Sequence, residues 1–441
     1  MRVVHGAEEA RRTVLRREPL EGADVPEHVR ARDRALFGPG LSVAEVVDRI
    51  LEEVRTGGDA AVRTLNRALD GAETADLRVS REEIEAAYRE VPAALVESLR
   101  FAAERVRAFH ERQLQQWMSF EEEGIGQLVR PLERVGLYMP GTATVYPSSV
   151  IMMAVPARVA GVSEVYLASP ARADGSVSPL KLVAADIAGV DAVFRAGGAH
   201  AVAAFAYGTE TIPRVDKICG PGNIWVTLAK RKVFGVTGID AIYGPTETIV
   251  IADETADPAL CAADLLAQAE HDELAGPILI TTSRELAERV EAELQRQLPL
   301  LERAEVCRAA LEGRGGMVVV ETLEQAVDLA NEFAPEHLCL LVRDAWKYTA
   351  LVKHAGGVFV GEDSPEVLGD YTAGPSHVMP TGGSARWSSP LSVNDFVKVI
   401  SLVAVDRDGL ERLGPHTAAI ARAEGFTAHA RAVEIRLARR G

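Results

Sequence analysis

"ETIVIADETADPALCAADLLAQAEHDELAGPILITT" (residues 247–282) contains one complete unit of the fold. "ETIVIAD" (residues 247–253) reads as a short β-like run that opens a series of strands and helices. Asp257 before Pro258 fits an N-cap with proline at the first helical position, and apolar residues then recur at helical spacing as far as His271. A second apolar run, "ILITT", follows, and Thr282 with Glu285 has the spacing of a capping box for the next helix. Strand, helix and strand in this order predict a parallel crossover.

Downstream, "MVVV", "LCLLV" and "GGVFVG" continue the series, each separated by a helical segment. Upstream, a first series begins at Val135 with "VGLY", then a helix from Ser148, "EVYLAS", a helix from Ser178, "AVFRAGG", a helix after Gly198 and "VDKICGPGN". Leu41 to Arg112 reads as acidic amphipathic helices, among them "SVAEVVDRILEEVR" and "SREEIEAAYREV". After the glycine-, serine- and proline-rich "VLGDYTAGPSHVMPTGGSARWSSP", the last fifty or so residues are mostly helical. The predicted class is therefore α/β, with two Rossmann-like doubly wound parallel-sheet domains and small N- and C-terminal helical domains. The glycine-rich "RAGGAHAVAA" and "CGPGNIWV" could bring backbone amides to a pyrophosphate, but neither matches the G-x-G-x-x-G fingerprint.

At 441 residues the chain is too long for one core. With 48 basic against 64 acidic residues its formal charge is −16, which disfavours nucleic acid and anionic membranes as partners. No apolar run is long enough to span a bilayer, and "MRVVHGAEEARRTVLRREPL" does not read as a signal or transit peptide. Cys219, Cys261, Cys307 and Cys339 are scattered, as expected of reduced thiols in a cytoplasmic protein.

Gln268 and His271 stand three apart and can share one helix face, although an isolated pair of this kind is more often a solvated patch at a helix end. The neighbourhood shifts that balance, because in parallel sheets ligands gather outside the carboxyl ends of strands. "FAPEHL" places Glu336 and His337 together before a strand, suited to proton acceptance and water activation. "LGDYTAGPSHVMPT" supplies Asp370, with His377 nearby and Gly369 permitting an unusual backbone, and "EGFTAHA" supplies Glu424 and His429. Gln268, His271, Asp370 and His429 together form an N/O donor set suited to zinc, without excluding manganese or iron.

"LLAQAEHD", "ANEFAPEHL", "GDYTAGPSHVMPTGGSARWSSPLSVNDF" and "EGFTAHA", in this order, resemble the histidinol dehydrogenases. "KICGPGN", "LAKRKVFG" and "GIDAIYGPTETIVIAD" are similar to the same family, and the likeness runs from "VGLYMPG" to the C-terminus. The resemblance implies a zinc-dependent, NAD-linked enzyme that oxidises L-histidinol through L-histidinaldehyde to L-histidine, the last steps of histidine biosynthesis. It implies Gln268, His271, Asp370 and His429 as zinc ligands, His337 as general base and Glu336 as activator of water. It further implies substrate contacts from Thr246, Gln268, His271, His337, Asp370, Glu424 and His429, and cofactor contacts from Tyr138, His200 and Asn223. A homodimer is expected, with the C-terminal part completing the partner's site. The expected division is an N-terminal extension, 1–30; a discontinuous catalytic domain, 31–137 with 246–391; an NAD-binding domain, 138–245; and a C-terminal helical domain, 392–441.

Three positions depart from the family's pattern: Thr246 stands where serine is common, His200 where glutamine is, and Thr142 where a second glycine usually follows "PG". The first keeps the hydroxyl, whereas the other two bear on cofactor binding. The nearest alternative is a paralogous zinc/NAD dehydrogenase of another small alcohol, in which Glu424 would be expected to change. More distant are a zinc hydrolase without NAD, for which no H-E-x-x-H or serine/cysteine nucleophile motif speaks, and a non-catalytic binding protein, which would not need Glu336 and His337.

Overall fold

A computed structural model describes residues 1–17, 27–141 and 145–439. The sequence around residue 247 lies in a six-stranded, wholly parallel sheet. Its order is β1 (Arg2–His5), β11 (Gly316–Val319), β10 (Gly276–Thr281), β9 (Glu247–Ala252), β12 (His337–Leu341) and β13 (Gly357–Val360). Successive residues of β9 serve opposite cores. Val250 and Ala252 pack with Cys261, Leu265 and Leu286 on one face, and Ile249 and Ile251 pack with Ala10, Val327 and Leu329 on the other. This double burial is why the strand reads as continuously apolar.

A second parallel sheet runs β6 (Ala192–Arg195), β5 (Glu164–Ser169), β4 (Arg134–Tyr138), β7 (Lys217–Cys219) and β8 (Gly238–Ile239). It too is covered on both faces. The helices Val43–Leu65, Arg81–Glu90 and Ala93–Leu114 pack on this five-stranded sheet and its helices. The expected division had put them with the six-stranded sheet, and its boundary at 137/138 cuts through β4. Likewise the N-terminal extension is no separate unit, since β1 is the edge strand of the six-stranded sheet.

β14 (Val397–Val403), β3 (Ile125–Pro131) and β2 (Phe120–Glu122) form a small antiparallel sheet, so the C-terminal part is not purely helical. Beyond it, Arg407–Ala423 and Thr427–Ala438 form a helical hairpin whose own buried core is Ala418, Ala421 and Ala430.

Local signals place most ends. Asp257 caps helix Pro258–Ala269 by accepting from the Ala259 amide at 2.8 Å. The next helix is capped one residue later than expected, by Ser283, which accepts from Leu286 at 3.1 Å. Gly369 has no left-handed backbone; a Cβ there would come 2.7 Å from the Phe359 ring, so close approach is what requires glycine. On helix Pro179–Ile187, Lys181 is 1% exposed and donates to the Pro140 carbonyl (2.8 Å), the Gly141 carbonyl (2.5 Å) and Ser169 Oγ (3.0 Å). It thereby ties together the carboxyl ends of β4 and β5. Burial above all brings its ammonium down to about 8. Thr142, which begins beyond that anchor, lies outside the described residues.

Candidate active site

The two large sheets meet at a cavity of about 590 Å³. The five-stranded sheet contributes segments following its strands, including Met139, Pro140, Pro221 and Asn223. The six-stranded sheet contributes segments preceding its strands: Thr246 before β9, His271 and Asp272 before β10, and Glu336 and His337 at the start of β12. The expectation that ligands lie outside carboxyl ends thus holds for one wall only; the wall carrying Glu336 and His337 is made of amino ends.

At that wall Glu336 Oε2 accepts from the Thr246 hydroxyl and from the Glu247 amide at 3.1 Å. His337 Nδ1 lies 3.4 Å from the Glu247 carbonyl and is the nitrogen that can donate to it, leaving Nε2 with a lone pair. Nε2 has no hydrogen-bond partner among the described residues and stands 3.8 Å from Asp370 Oδ1. Burial moves the two neighbours in opposite senses, because it penalises whichever form is charged. The Glu336 carboxyl is pushed up to about 8 against the Thr246 and Glu247 hydrogen bonds, while the His337 imidazole is pulled down to about 3. Both are consequently largely neutral at pH 7.

Asp370, on the short helix Glu366–Tyr371, is raised by burial to about 6, opposed by attraction to His271, whose own value burial lowers. His377 fixes this segment. Its Nδ1 lies 2.6 Å from the Asp370 carbonyl and must donate, so Nε2, 2.7 Å from Ser149 Oγ, accepts. Gln268, in the last turn of its helix, is 1% exposed, and His271 falls just past the helix end, its amide 3.3 Å from the Gln268 carbonyl. In the orientation that satisfies both ends of the Gln268 amide, its nitrogen donates to Glu366 Oε1 at 2.9 Å and its oxygen accepts from the Glu247 amide at 2.8 Å. Glu366, fully buried, also accepts from Thr248 at 2.7 Å, and burial raises it well above the usual carboxyl range.

Glu336, His337, Thr246, His271 and Asp370 therefore come together at the cavity, with Gln268 beneath Thr246. Asn223 lines the opposite wall, where its Oδ1 caps helix Ile224–Val233 by accepting from Val226 at 3.2 Å. Tyr138 and His200 are buried behind that wall. The Tyr138 hydroxyl accepts from the Gly198 amide at 3.0 Å. His200 Nε2 lies 2.8 Å from Asn66 Oδ1 and 3.1 Å from the Gly197 amide nitrogen, while the Asn66 amide nitrogen donates to Thr74 and the Arg195 carbonyl. Glu424 and His429 stand exposed on the C-terminal hairpin, away from the cavity of their own chain. Among the described residues no three His, Cys, Asp or Glu side chains cluster as metal ligands. His271 and Asp370 bring an imidazole and a carboxylate, two donor types that zinc takes, to this wall, whereas the Gln268 amide lies behind it with both ends engaged by Glu247 and Glu366. The supporting contacts of Glu247 and Glu366 join residues far apart in sequence and depend on strand register, and His377 bridges the nearby Asp370 to the distant Ser149.

The profile of the family described as Histidinol dehydrogenase matches residues 40–437. Among curated relatives, histidinol dehydrogenase of Deinococcus radiodurans is 50% identical, over 99% of this chain and 100% of its own. That of Moorella thermoacetica is 52% identical over 95% and 99%. A crystal structure of histidinol dehydrogenase from Elizabethkingia anophelis superposes with a TM-score of 0.91 at 33% identity, covering 99% of this chain and 98% of that one.

Proposed function

Since the chain belongs to the histidinol dehydrogenase family, and is therefore an oxidoreductase, we propose that it oxidises L-histidinol to L-histidine through L-histidinaldehyde, with NAD as electron acceptor and one zinc ion per subunit. The observation that carries this reading is the buried Glu336–His337 pair, with His337 Nε2 unpartnered beside the cavity. Zinc, when bound, would act as a template for the substrate's amino and imidazole nitrogens, and NAD would take the hydride.

Alcohol oxidation needs a base for the hydroxyl proton as hydride leaves carbon. His337, kept neutral by burial, has the lone pair to accept it. The aldehyde must then add water before a second hydride can leave, and Glu336 takes the water's proton when ionised. Gln268, His271 and Asp370 would hold the zinc, with His429 from a second copy completing the set. Thr246, Gln268, His271, His337, Asp370, Glu424 and His429 would contact substrate, and Tyr138, His200 and Asn223 would serve the cofactor, the first two through the turn at Gly197–Gly198.

A homodimer is supported by exposed apolar surface. Val403 is 73% exposed on the small sheet and Ile420 60% on the hairpin, whose three-alanine core is too slight to stabilise it alone. All four cysteines are free and buried, which supports a cytoplasmic setting. Among the described residues no helix is long and apolar enough to cross a membrane.

The test is NADH formation from L-histidinol by the purified protein, with histidine quantified and with chelation followed by zinc restoration. The expected result is two NADH per histidine, lost with the chelator and regained with zinc. Zinc-loaded protein inert to histidinol would instead indicate a paralogue for another small alcohol.

A further inference from the structure

Arg17 places a guanidinium behind the wall that carries Glu336 and His337. β1 joins the sheet edge, helix Ala7–Arg12 follows, and a turn brings Arg17 to the amino end of β9. Arg17 grips the Glu247 carboxylate with both terminal nitrogens, Nη2 lying 2.8 Å from Oε2. The same group donates to the Phe333 carbonyl, from Nη2 at 2.6 Å and Nε at 3.2 Å, and its carbon sits 3.8 Å above the Phe333 ring. Nη2 is also 3.4 Å from the Ala334 carbonyl.

Both gripped segments govern the reacting side chains. The Glu247 amide holds Glu336, and its carbonyl faces His337 Nδ1. Ala334 takes a left-handed backbone, φ 53°, rare for a residue with a Cβ, and two residues later the chain reaches Glu336. A planar fork can bridge a carboxylate and carbonyls in one rigid arrangement, which an ammonium cannot copy. A carboxylate as buried as Glu247 also needs a countercharge, and Arg17 is ion-paired with it.

We infer that Arg17 is a positioning residue for the proposed oxidation, clamping the start of β9 to the exit of helix Leu323–Phe333 so that Glu336 and His337 keep their geometry. This rests on the functional reading above. The test compares the full-length protein with Arg17→Met and Arg17→Lys below the melting temperature of each. Arg17→Met should lower kcat roughly ten- to a hundredfold, the scale of a misplaced catalytic group, with zinc content and KM for NAD essentially unchanged. Arg17→Lys should recover only part of the loss. A lower melting temperature with wild-type kcat would overturn the inference, whereas a wild type inert to histidinol would overturn the functional reading. Hydrogen exchange separates the two. The amides of Glu247, Ala334, Glu336 and His337 should exchange faster in either variant while those of β5 do not, and unchanged exchange there sinks the clamp whatever the substrate.

Discussion

His337 and Glu336 are adjacent in sequence and share one burial, yet they need different pH ranges. His337 is in its base form throughout the neutral range, whereas the ionised fraction of Glu336 rises about tenfold per pH unit until pH reaches about 8. The aldehyde-to-acid half should therefore speed up from pH 7 to 9 when assayed separately on histidinaldehyde, and Glu336→Gln should both slow that half and flatten the rise. Equal slowing of both halves by Glu336→Gln would sink the division of labour. His337→Asn should cost roughly 10²- to 10⁴-fold in alcohol oxidation with zinc retained, as read by stopped-flow NADH formation and metal analysis. These two side chains were legible because "FAPEHL" sets them side by side before a strand. Glu366 and the Gln268 amide it receives were not, since that contact depends on how the helix Glu366–Tyr371 folds back under β9.

At the scale of elements, helix Pro179–Ile187 carries Lys181 into a site whose described hydrogen-bond partners are two carbonyls and a hydroxyl, none of them charged. Its ammonium titrates at about 8 in the fold, against 10.5 unperturbed. Between those values the unfolded chain binds more protons, so stability climbs as pH rises from about 8 to 10.5 and is lost as pH falls back through 8. The climb should be at most about 3 kcal/mol. Urea denaturation of Lys181→Met should lack it, and an unchanged climb would assign it to other groups. Sequence patterning placed a helix from Ser178, but an apolar face gives no hint that the lysine on it points inward. Capping signals were similarly good to a residue: Asp257 as read, Ser283 in place of Thr282.

For the whole molecule, the order of strands and helices was legible from apolar runs and their punctuation, while their assignment to sheets was not. Residues 43–114 look alike whichever sheet they cover, and only packing assigns them to the five-stranded one. Strand order alone also cannot tell which ends of a sheet will face a neighbouring domain. The exposed placement of Glu424 and His429 gives a prediction at this scale. His429→Ala and His337→Asn, each inactive alone, should regain part of the wild-type activity when unfolded and refolded together. No recovery from verified mixed dimers would mean that each chain builds its own centre.

The pairing of carboxyl strand ends on one wall with amino strand ends on the other makes the cavity electrically polar. Helices Pro147–Ala160 and Ile224–Val233 begin at the first wall, whereas Pro258–Ala269 and Leu323–Phe333 finish near the second. Each helix terminus carries about half an elementary charge, positive where it begins and negative where it ends. The resulting field draws phosphate oxygens toward the five-stranded side and cations toward the six-stranded side. In the oxidation proposed above, a hydride passing from a substrate beside His337 to an acceptor near Asn223 would move from the negative toward the positive side, so the field would ease that transfer while the potentials of the two reactants set its overall direction.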